Sequence, residues 1–132
     1  MPSEPTWISA SDANEINLST VARTSEPHLL RDRGLLQSAI DRARNVYLYD
    51  AEADLADMAA VLLLGIARNH PFAQGNKRTG LQAAELFLRR NGYSLDPPDG
   101  EALPRLIIAA IEDHSKDLAL ADVLRDYIVA SD

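Results

Sequence analysis

The sequence predicts an all-α protein, a compact bundle of about six helices in a single domain that spans residues 1–132. Apolar residues recur every three or four positions along most of the chain, and residues that commonly cap helices precede these stretches. Strand-like alternation is scarce. With 132 residues, 46% of them hydrophobic and 25% charged, the chain is long enough for one core and has the composition of an ordered globular domain.

The first two predicted helices precede a segment with strand character. The first starts at Ser9 or Ser11 and runs to about Arg23. Asp32 is the expected N-cap of the second. The apolar residues of this second helix repeat with helical spacing at Leu35, Leu36, Ala39, Ile40 and Ala43. β-Branched and aromatic side chains are then frequent in residues 45–50, which favours a short β flap there.

The next two predicted helices flank a short loop. The third begins after Asp54 and is apolar on nearly all faces, which predicts that it is the central buried helix. It ends near His70, because a proline follows and disfavours helical geometry in the residue before it. The loop leads to the fourth helix, which is expected from about Asn76 to Asn91, with a glycine after it as the helix stop.

Two further helices complete the predicted bundle. Pro104 belongs to the first turn of the fifth helix, where the missing amide hydrogen has no intrahelical partner to lose. The apolar residues of that helix are Leu103, Leu106, Ile107, Ala110 and Ile111. Those of the last helix are Leu118, Leu120, Val123, Leu124, Tyr127 and Ile128. Both sets have the spacing of an amphipathic helix, so each helix is expected to bury one face.

Charge is distributed unevenly along the chain. The net charge of −7 disfavours broad contact with nucleic-acid phosphates, and therefore a small helical DNA-binding protein. Between Arg68 and Arg90, however, five basic residues stand against the single acid Glu85, so this window carries +4. A local positive island on an acidic chain suits a small anionic ligand better than a long polyanion.

The sequence also predicts where the protein works. The longest apolar run, residues 58–66, is far shorter than a membrane span. The first ten residues contain an acid, no basic residue and no long apolar stretch, unlike a signal peptide. The absence of cysteine excludes disulfides and thiolate metal sites. We therefore expect a cytoplasmic protein that does not contact membranes.

Residues 70–80, His-Pro-Phe-Ala-Gln-Gly-Asn-Lys-Arg-Thr-Gly, carry the candidate chemistry. Phe72 is expected to anchor the loop in the core, because a large aromatic ring is costly to expose. Gly75 permits a tight turn and a close backbone approach to a ligand. The first amide groups of the next helix lack intrahelical partners and lie at the positive end of the helix dipole, which predicts a phosphate site.

Four polar side chains surround that predicted phosphate site. Asn76 and Lys77 add donors and charge, and Arg78 is able to hold phosphate oxygens in a bidentate manner. Histidine titrates near neutral pH, so His70 is a candidate general base for a hydroxyl. The attacked phosphoryl group would be stabilised by Lys77, Arg78 and the helix amides.

This motif resembles that of the Fic/Doc family, and its closest resemblance is to the Doc-like (death-on-curing) toxins. The family pattern is His-x-Phe-x-acid-x-Asn-Lys-Arg, and this chain matches it with His70, Phe72, Asn76, Lys77 and Arg78, with Gly75 before the asparagine. The flanking residues 30–40, 65–69 and 79–93 are similar as well. Because the motif is long and its flanks agree, the signal is specific, and it covers residues 30–95.

The resemblance implies a fold, an activity and partners. It implies a helical bundle with the motif between two central helices, and His70 as the base for a Ser, Thr or Tyr hydroxyl. The nucleotide site for ATP would consist of Phe72, Gly75, Asn76, Lys77 and Arg78. Most family members transfer AMP, whereas the Doc branch, with lysine after asparagine as at Lys77, transfers phosphate to a translation factor, elongation factor Tu. The flap near residues 46–49 would dock the target as an added strand.

Gln74 departs from the family pattern. The family has an acid at this position, which binds Mg²⁺ together with the nucleotide phosphates, and a neutral amide is a poorer Mg²⁺ ligand than a carboxylate. Two outcomes follow. Either the metal still binds through phosphates and water, with reduced activity, or the chain is a catalytically degenerate binding module. Because every other motif position matches, we expect retained activity.

Regulation is expected to come from another protein. Self-inhibiting family members carry Ser/Thr-x-x-x-Glu-Gly/Asn, and the nearest fit is Ser11 to Glu15, followed by Ile16 where glycine or asparagine is expected. A helix N-cap with a first-turn acid is the simpler interpretation of this segment. We therefore expect an antitoxin that acts in trans. No motif surrounds His28 or His114, so neither is expected to be functional.

Overall fold

The computed structural model describes residues 4–131 and confirms the all-α prediction. Its elements, in chain order, are α1 (Ala10–Ala22), α2 (Arg33–Tyr49), α3 (Leu55–Asn69), α4 (Asn76–Arg90), β1 (Tyr93–Leu95), α5 (Ala102–Glu112), a 3₁₀ turn (His114–Lys116), α6 (Asp117–Tyr127) and β2 (Ile128–Ala130). Helix α3 packs against α2, α4, α5 and α6, and α1 packs mainly against α4. No helix within residues 4–131 has the length and apolar character that crossing a bilayer requires.

Helix α3 is central, as predicted. Residues 58–66 are buried apart from one half-buried valine. Small residues allow its neighbours to approach closely: a Cβ atom at Gly65 would lie 3.0 Å from Cβ of Ala39 in α2. On the opposite side, a Cβ atom at Gly80 of α4 would lie 2.7 Å from the carbonyl oxygen of Leu63. Helix α3 is therefore tightly enclosed between α2 and α4.

The helix starts follow local capping signals. Asp32 accepts a hydrogen bond from the Leu35 amide at the start of α2, as predicted. At the start of α1, Ser9 and Asp12 form a capping box. The interpretation of Ser11 as an N-cap with Glu15 as its first-turn acid is wrong, because the cap lies two residues earlier and Ser11 is inside the helix.

The predicted flap over residues 45–50 is wrong. Helix α2 continues through this segment to Tyr49. Val46 and Tyr47 are half-buried against the core, and the Tyr47 ring meets the Trp7 ring edge-on at 6.0 Å between centroids. Packing of one helical face therefore outweighs the β propensity of the individual residues. The structure has no strand at residues 46–49 that a target polypeptide would extend.

A small sheet near the C-terminus was missed. β1 pairs antiparallel with β2, with Ser94 opposite Val129. The last helix was expected to include Ile128 but ends one residue earlier, where β2 begins. Gly92 lies between α4 and β1 and has φ 88°, a left-handed conformation. This conformation ends the helix, which confirms the predicted helix stop.

Asp54 connects the start of α3 to α6. It forms a capping box with Asp57, and Arg125 donates to its carboxylate at 2.6 and 3.0 Å. The hydrogen bond from Arg125 lowers the pKa of Asp54 to about 2, against the opposing effect of burial. The charged carboxylate thus serves as a helix cap and as an ion-pair partner.

Replacing Asp54 with alanine is expected to lower the free energy of unfolding by about 1–2 kcal/mol at neutral pH, because the cap and the ion pair are both lost. Asp54→Asn is the control, since asparagine retains the cap without the charge. The pKa of Asp54 in the folded chain lies below the ordinary aspartate value of 3.8. The contribution of its charge to stability is therefore complete above pH 3.8 and is lost as the pH falls towards about 2. Urea unfolding should show the native chain and Asp54→Asn converging in acid; a constant difference would contradict this.

Candidate functional site

The motif loop leaves the central helix through a left-handed turn. His70 is the C-cap of α3 with φ 49° and ψ 52°, a conformation that few non-glycine residues adopt. Its side chain is exposed, whereas Pro71 and Phe72 are buried. The Ala73 amide donates to Leu29 O at 2.9 Å, and the Pro71 carbonyl accepts from the Arg31 amide at 2.7 Å. Backbone hydrogen bonds with residues 29–32 therefore fix the start of the loop, where it leaves α3.

The loop ends in an anion-binding geometry. Gly75 has φ 76° and precedes the first residue of α4. Within residues 4–131, the backbone N–H groups of residues 74–78 have no hydrogen-bond acceptor. These donors lie at the positive end of the α4 dipole, which is the geometry that the predicted phosphate site requires.

Asn76 braces this loop through its side chain. Its Oδ1 accepts from the Phe72 amide at 3.0 Å, and its Nδ2 donates to Phe72 O at 2.8 Å. Both polar ends of the side-chain amide are thus engaged by the backbone of the loop. Asn76 therefore fixes the shape of the loop through its side chain, while its backbone amide has no acceptor within residues 4–131.

A cavity of about 850 Å³ opens beside the loop. The predicted site residues that line it together are His70, Gln74, Gly75, Asn76 and Lys77. The side chains of His70, Gln74 and Lys77 are exposed. The candidate base and the free amides thus border one space that is large enough for a nucleotide.

Two predicted site residues lie elsewhere. Phe72 is fully buried and anchors the loop in the core, as expected, but does not line the cavity. The Arg78 guanidinium also lies outside the cavity lining; it donates to Glu26 Oε1 at 2.5 Å and to Thr24 Oγ1 at 3.3 Å. Hydrogen bonds from Thr24 and Arg78 lower the pKa of Glu26. Contact of Arg78 with phosphate would require this ion pair to open.

The predicted positive island is not a single surface. Arg68 pairs with Asp117 at 2.6 Å, and Arg90 pairs with Asp12, also at 2.6 Å. The hydrogen bond from Arg90 lowers the pKa of Asp12. Arg68 thus joins α3 to α6, and Arg90 joins α4 to α1. Arg78 joins α4 to the segment after α1. Among cavity-lining cations within residues 4–131, Lys77 and a residue of α2, Arg42, are free of ion pairs.

The far wall of the cavity contains residues that sequence reasoning missed. It is formed by the end of α5 and the turn after it, including Ile108, Glu112 and His114. Arg68 holds this wall to α3, because it donates to Ile111 O at 3.2 Å as well as to Asp117. No local pattern marked Arg42, Glu112 or His114, since only packing brings them to the motif.

The donor set for a metal is limited. Over the described range, residues 4–131, no group of three or more His, Asp or Glu side chains is placed to hold a metal ion. Gln74 offers an amide oxygen on the motif side of the cavity, and Glu112 offers a carboxylate on the far wall. The residues present therefore do not form a protein-only Mg²⁺ site, and a metal here would depend on oxygens that arrive with the nucleotide.

Sequence comparisons agree with this geometry. The model of the Fic/DOC family matches residues 7–88. The toxin Doc of Mycolicibacterium smegmatis is 49% identical over 67 residues, which cover 50% of this chain and 52% of that relative. The protein kinase doc of Escherichia phage P1 is 36% identical over 97 residues, which cover 73% of this chain and 75% of that relative. The match thus spans about half the length of the first relative and three quarters of the second. Because the family model covers more than half of the chain, including His70 and residues 74–78, this chain belongs to the Fic/DOC family.

Proposed function

We propose that this chain is a Doc-like toxin that transfers the γ-phosphoryl group of ATP to a hydroxyl of a protein target, in particular a translation factor such as elongation factor Tu. The observation that carries the proposal is that His70 and residues 74–77, whose backbone amides have no acceptor in the described chain, border one cavity. The relatives named toxin Doc and protein kinase doc support the same activity. The antitoxin expected in trans is part of this proposal.

In the proposed reaction, His70 accepts the proton of the target hydroxyl as its oxygen approaches the γ-phosphorus. A new oxygen–phosphorus bond forms, and the bond between that phosphorus and the β–γ bridging oxygen breaks. The electron pair of the broken bond leaves with ADP. The free amides and Lys77 stabilise the charge on the transferred group and on the leaving phosphates. The proton on His70 then returns to solvent.

The residues present fit nucleotide phosphates better than they fit a metal. Amide donors at a helix start, with Lys77 and Arg42 beside them, complement phosphate charge. Mg²⁺ would be held mainly by the phosphates, with the Gln74 amide oxygen as the available contact on the motif side. A metal bound in this way would neutralise phosphate charge.

Replacing Gln74 with aspartate is expected to raise target phosphorylation and to lower the Mg²⁺ concentration for half-maximal activity by about tenfold, or about 1.4 kcal/mol of metal binding. Gln74→Asn is the matched control, because asparagine has the shape of aspartate without its charge. The measurement is ³²P transfer from γ-labelled ATP to a candidate translation factor over a Mg²⁺ series. Equal responses of the two variants would contradict a metal role for this position.

Product mass separates the proposed reaction from its alternatives. Intact-protein mass spectrometry of the target should show a phosphate increment, whereas an AMP increment would indicate adenylylation. Nucleotide binding without any increment, from both the native chain and Gln74→Asp, would indicate a degenerate binding module. A neighbouring protein that acts as the antitoxin should abolish the increment when it is added in excess.

A further inference from the structure

A buried polar network joins helix α1 to the motif loop from the side away from the cavity. Its centre is Asn17, which is fully buried. Asn17 Nδ2 donates to the carbonyl oxygen of Gln74 at 2.8 Å and to Thr79 Oγ1 at 3.0 Å. Asn17 Oδ1 lies 2.9 Å from Nδ1 of His28. Because an amide oxygen only accepts, His28 donates this hydrogen bond, and all polar hydrogens of the Asn17 amide are used.

The hydrogen bond to Gln74 fixes the direction of a peptide group at the phosphate site. The described chain contains no cis peptide bond, so the bond between Gln74 and Gly75 is trans and planar. In a trans peptide, the carbonyl oxygen and the following N–H point in opposite directions. With the carbonyl held towards α1 by Asn17, the Gly75 N–H is directed to the opposite side, where Gly75 lines the cavity.

The surroundings of Gly75 restrict other orientations of this peptide. A Cβ atom at Gly75 would lie 3.0 Å from Val21 Cγ1 and 3.3 Å from Asn17 Nδ2, so the loop lies directly on α1. His28 is half-buried, with its ring 6.2 Å from the Phe72 ring, the anchor of the loop. The orientation of the Asn17 amide is thus fixed by a histidine that packs against the same loop.

We propose that Asn17, oriented by His28, is a positioning residue that directs the Gly75 amide towards the transferred phosphate. This inference rests on the proposed function, since it concerns the same phosphate site. Asn17 is not among the residues that line the cavity, so it would act only through the peptide that it holds. A donor displaced by about 1 Å costs roughly a hundredfold in rate, so loss of the hydrogen bond should be readily measured.

The test compares Asn17→Leu with Thr20→Val. Both substitutions remove a buried polar group of α1, but the Thr20 hydroxyl donates to Gln82 Oε1 in α4, at 3.1 Å, and not to the motif loop. For Asn17→Leu we expect kcat/KM for ATP to fall about 10–100-fold. The Gly75 amide signal in ¹H–¹⁵N spectra should also lose its shift on addition of a non-hydrolysable ATP analogue, which carries the γ-phosphate that ADP lacks. Thr20→Val should retain both properties.

A second pair of variants keeps the test decisive if Asn17→Leu does not fold. His28→Leu removes the donor to Asn17, whereas His28→Asn retains a donor near the position of Nδ1. We therefore expect His28→Leu to lose the activity and the Gly75 shift, and His28→Asn to retain both. Native values of both properties in the folded Asn17→Leu or His28→Leu chain would overturn the inference alone. A native chain that shows neither a shift induced by the ATP analogue nor transfer would overturn the proposed function with it.

Discussion

Replacing His70 with alanine is expected to lower kcat for target phosphorylation by roughly two to four orders of magnitude, the usual contribution of a positioned general base. The KM for ATP should change little, because the proposed phosphate site consists of the backbone amides of residues 74–77 and the Lys77 side chain, which this substitution leaves in place. The measurement is steady-state phosphate transfer under saturating target, with ADP binding determined separately by calorimetry.

His114→Ala provides the comparison, because it removes the other imidazole that lines the same cavity. His114 lies on the far wall, in the turn after α5, and no amide cluster accompanies it. We expect its replacement to change kcat less than about tenfold, below the usual contribution of a general base. Equal losses for His70→Ala and His114→Ala would contradict a specific base role for His70.

Replacing Gly80 with alanine is expected to lower the free energy of unfolding by about 1–3 kcal/mol, the usual cost of overpacking a core. The added Cβ would lie 2.7 Å from the carbonyl oxygen of Leu63 in the central helix. A backbone atom in the middle of α3 cannot move aside as a flexible side chain does. The only relief is separation of α4 from α3, which also moves the free amides away from His70.

The control for Gly80→Ala is the same substitution in α2. A Cβ atom at Gly34 would meet only the side chain of Asp32, at 3.3 Å. The atom it would meet is the cap oxygen bonded to the Leu35 amide, and it needs to move by only a few tenths of an ångström. Alanine there should leave stability within about 1 kcal/mol of the native value, because its higher helix propensity offsets this shift. Thermal and urea unfolding of both variants, with transfer activity measured alongside, would test this. A Gly80→Ala chain as stable and active as Gly34→Ala would contradict the close packing of α3 and α4.

The ion pair between Arg78 and Glu26 bears on how the site binds nucleotide. The resemblance to the family assigns Arg78 to the phosphates, whereas in this structure its guanidinium is bonded to Glu26 and Thr24. Both bonds are on the protein surface, where ion pairs contribute little to stability. A phosphate therefore competes with a weakly held partner, and the phosphate-binding role of Arg78 stays a prediction.

Several features of the fold were predictable because the signals lie within a few residues of one another. Asp32 and Asp54 bond amides three residues ahead, so the starts of α2 and α3 are visible locally. The end of α3 at His70 follows from the proline after it. Local signals were insufficient for residues 45–50, where contact with Trp7 decides in favour of helix.

The helical bundle, the buried position of α3 and the left-handed turn at Gly75 could be read from the sequence alone, because periodicity, capping residues and glycine act over one or two helical turns. Which residues complete the cavity and which lie outside it depends on how the helices pack. Asn17 meets Gln74 across 57 positions of the chain, and Arg78 meets Glu26 across 52. Such pairs form because packed helices bring distant side chains together, and no short segment of sequence contains that information.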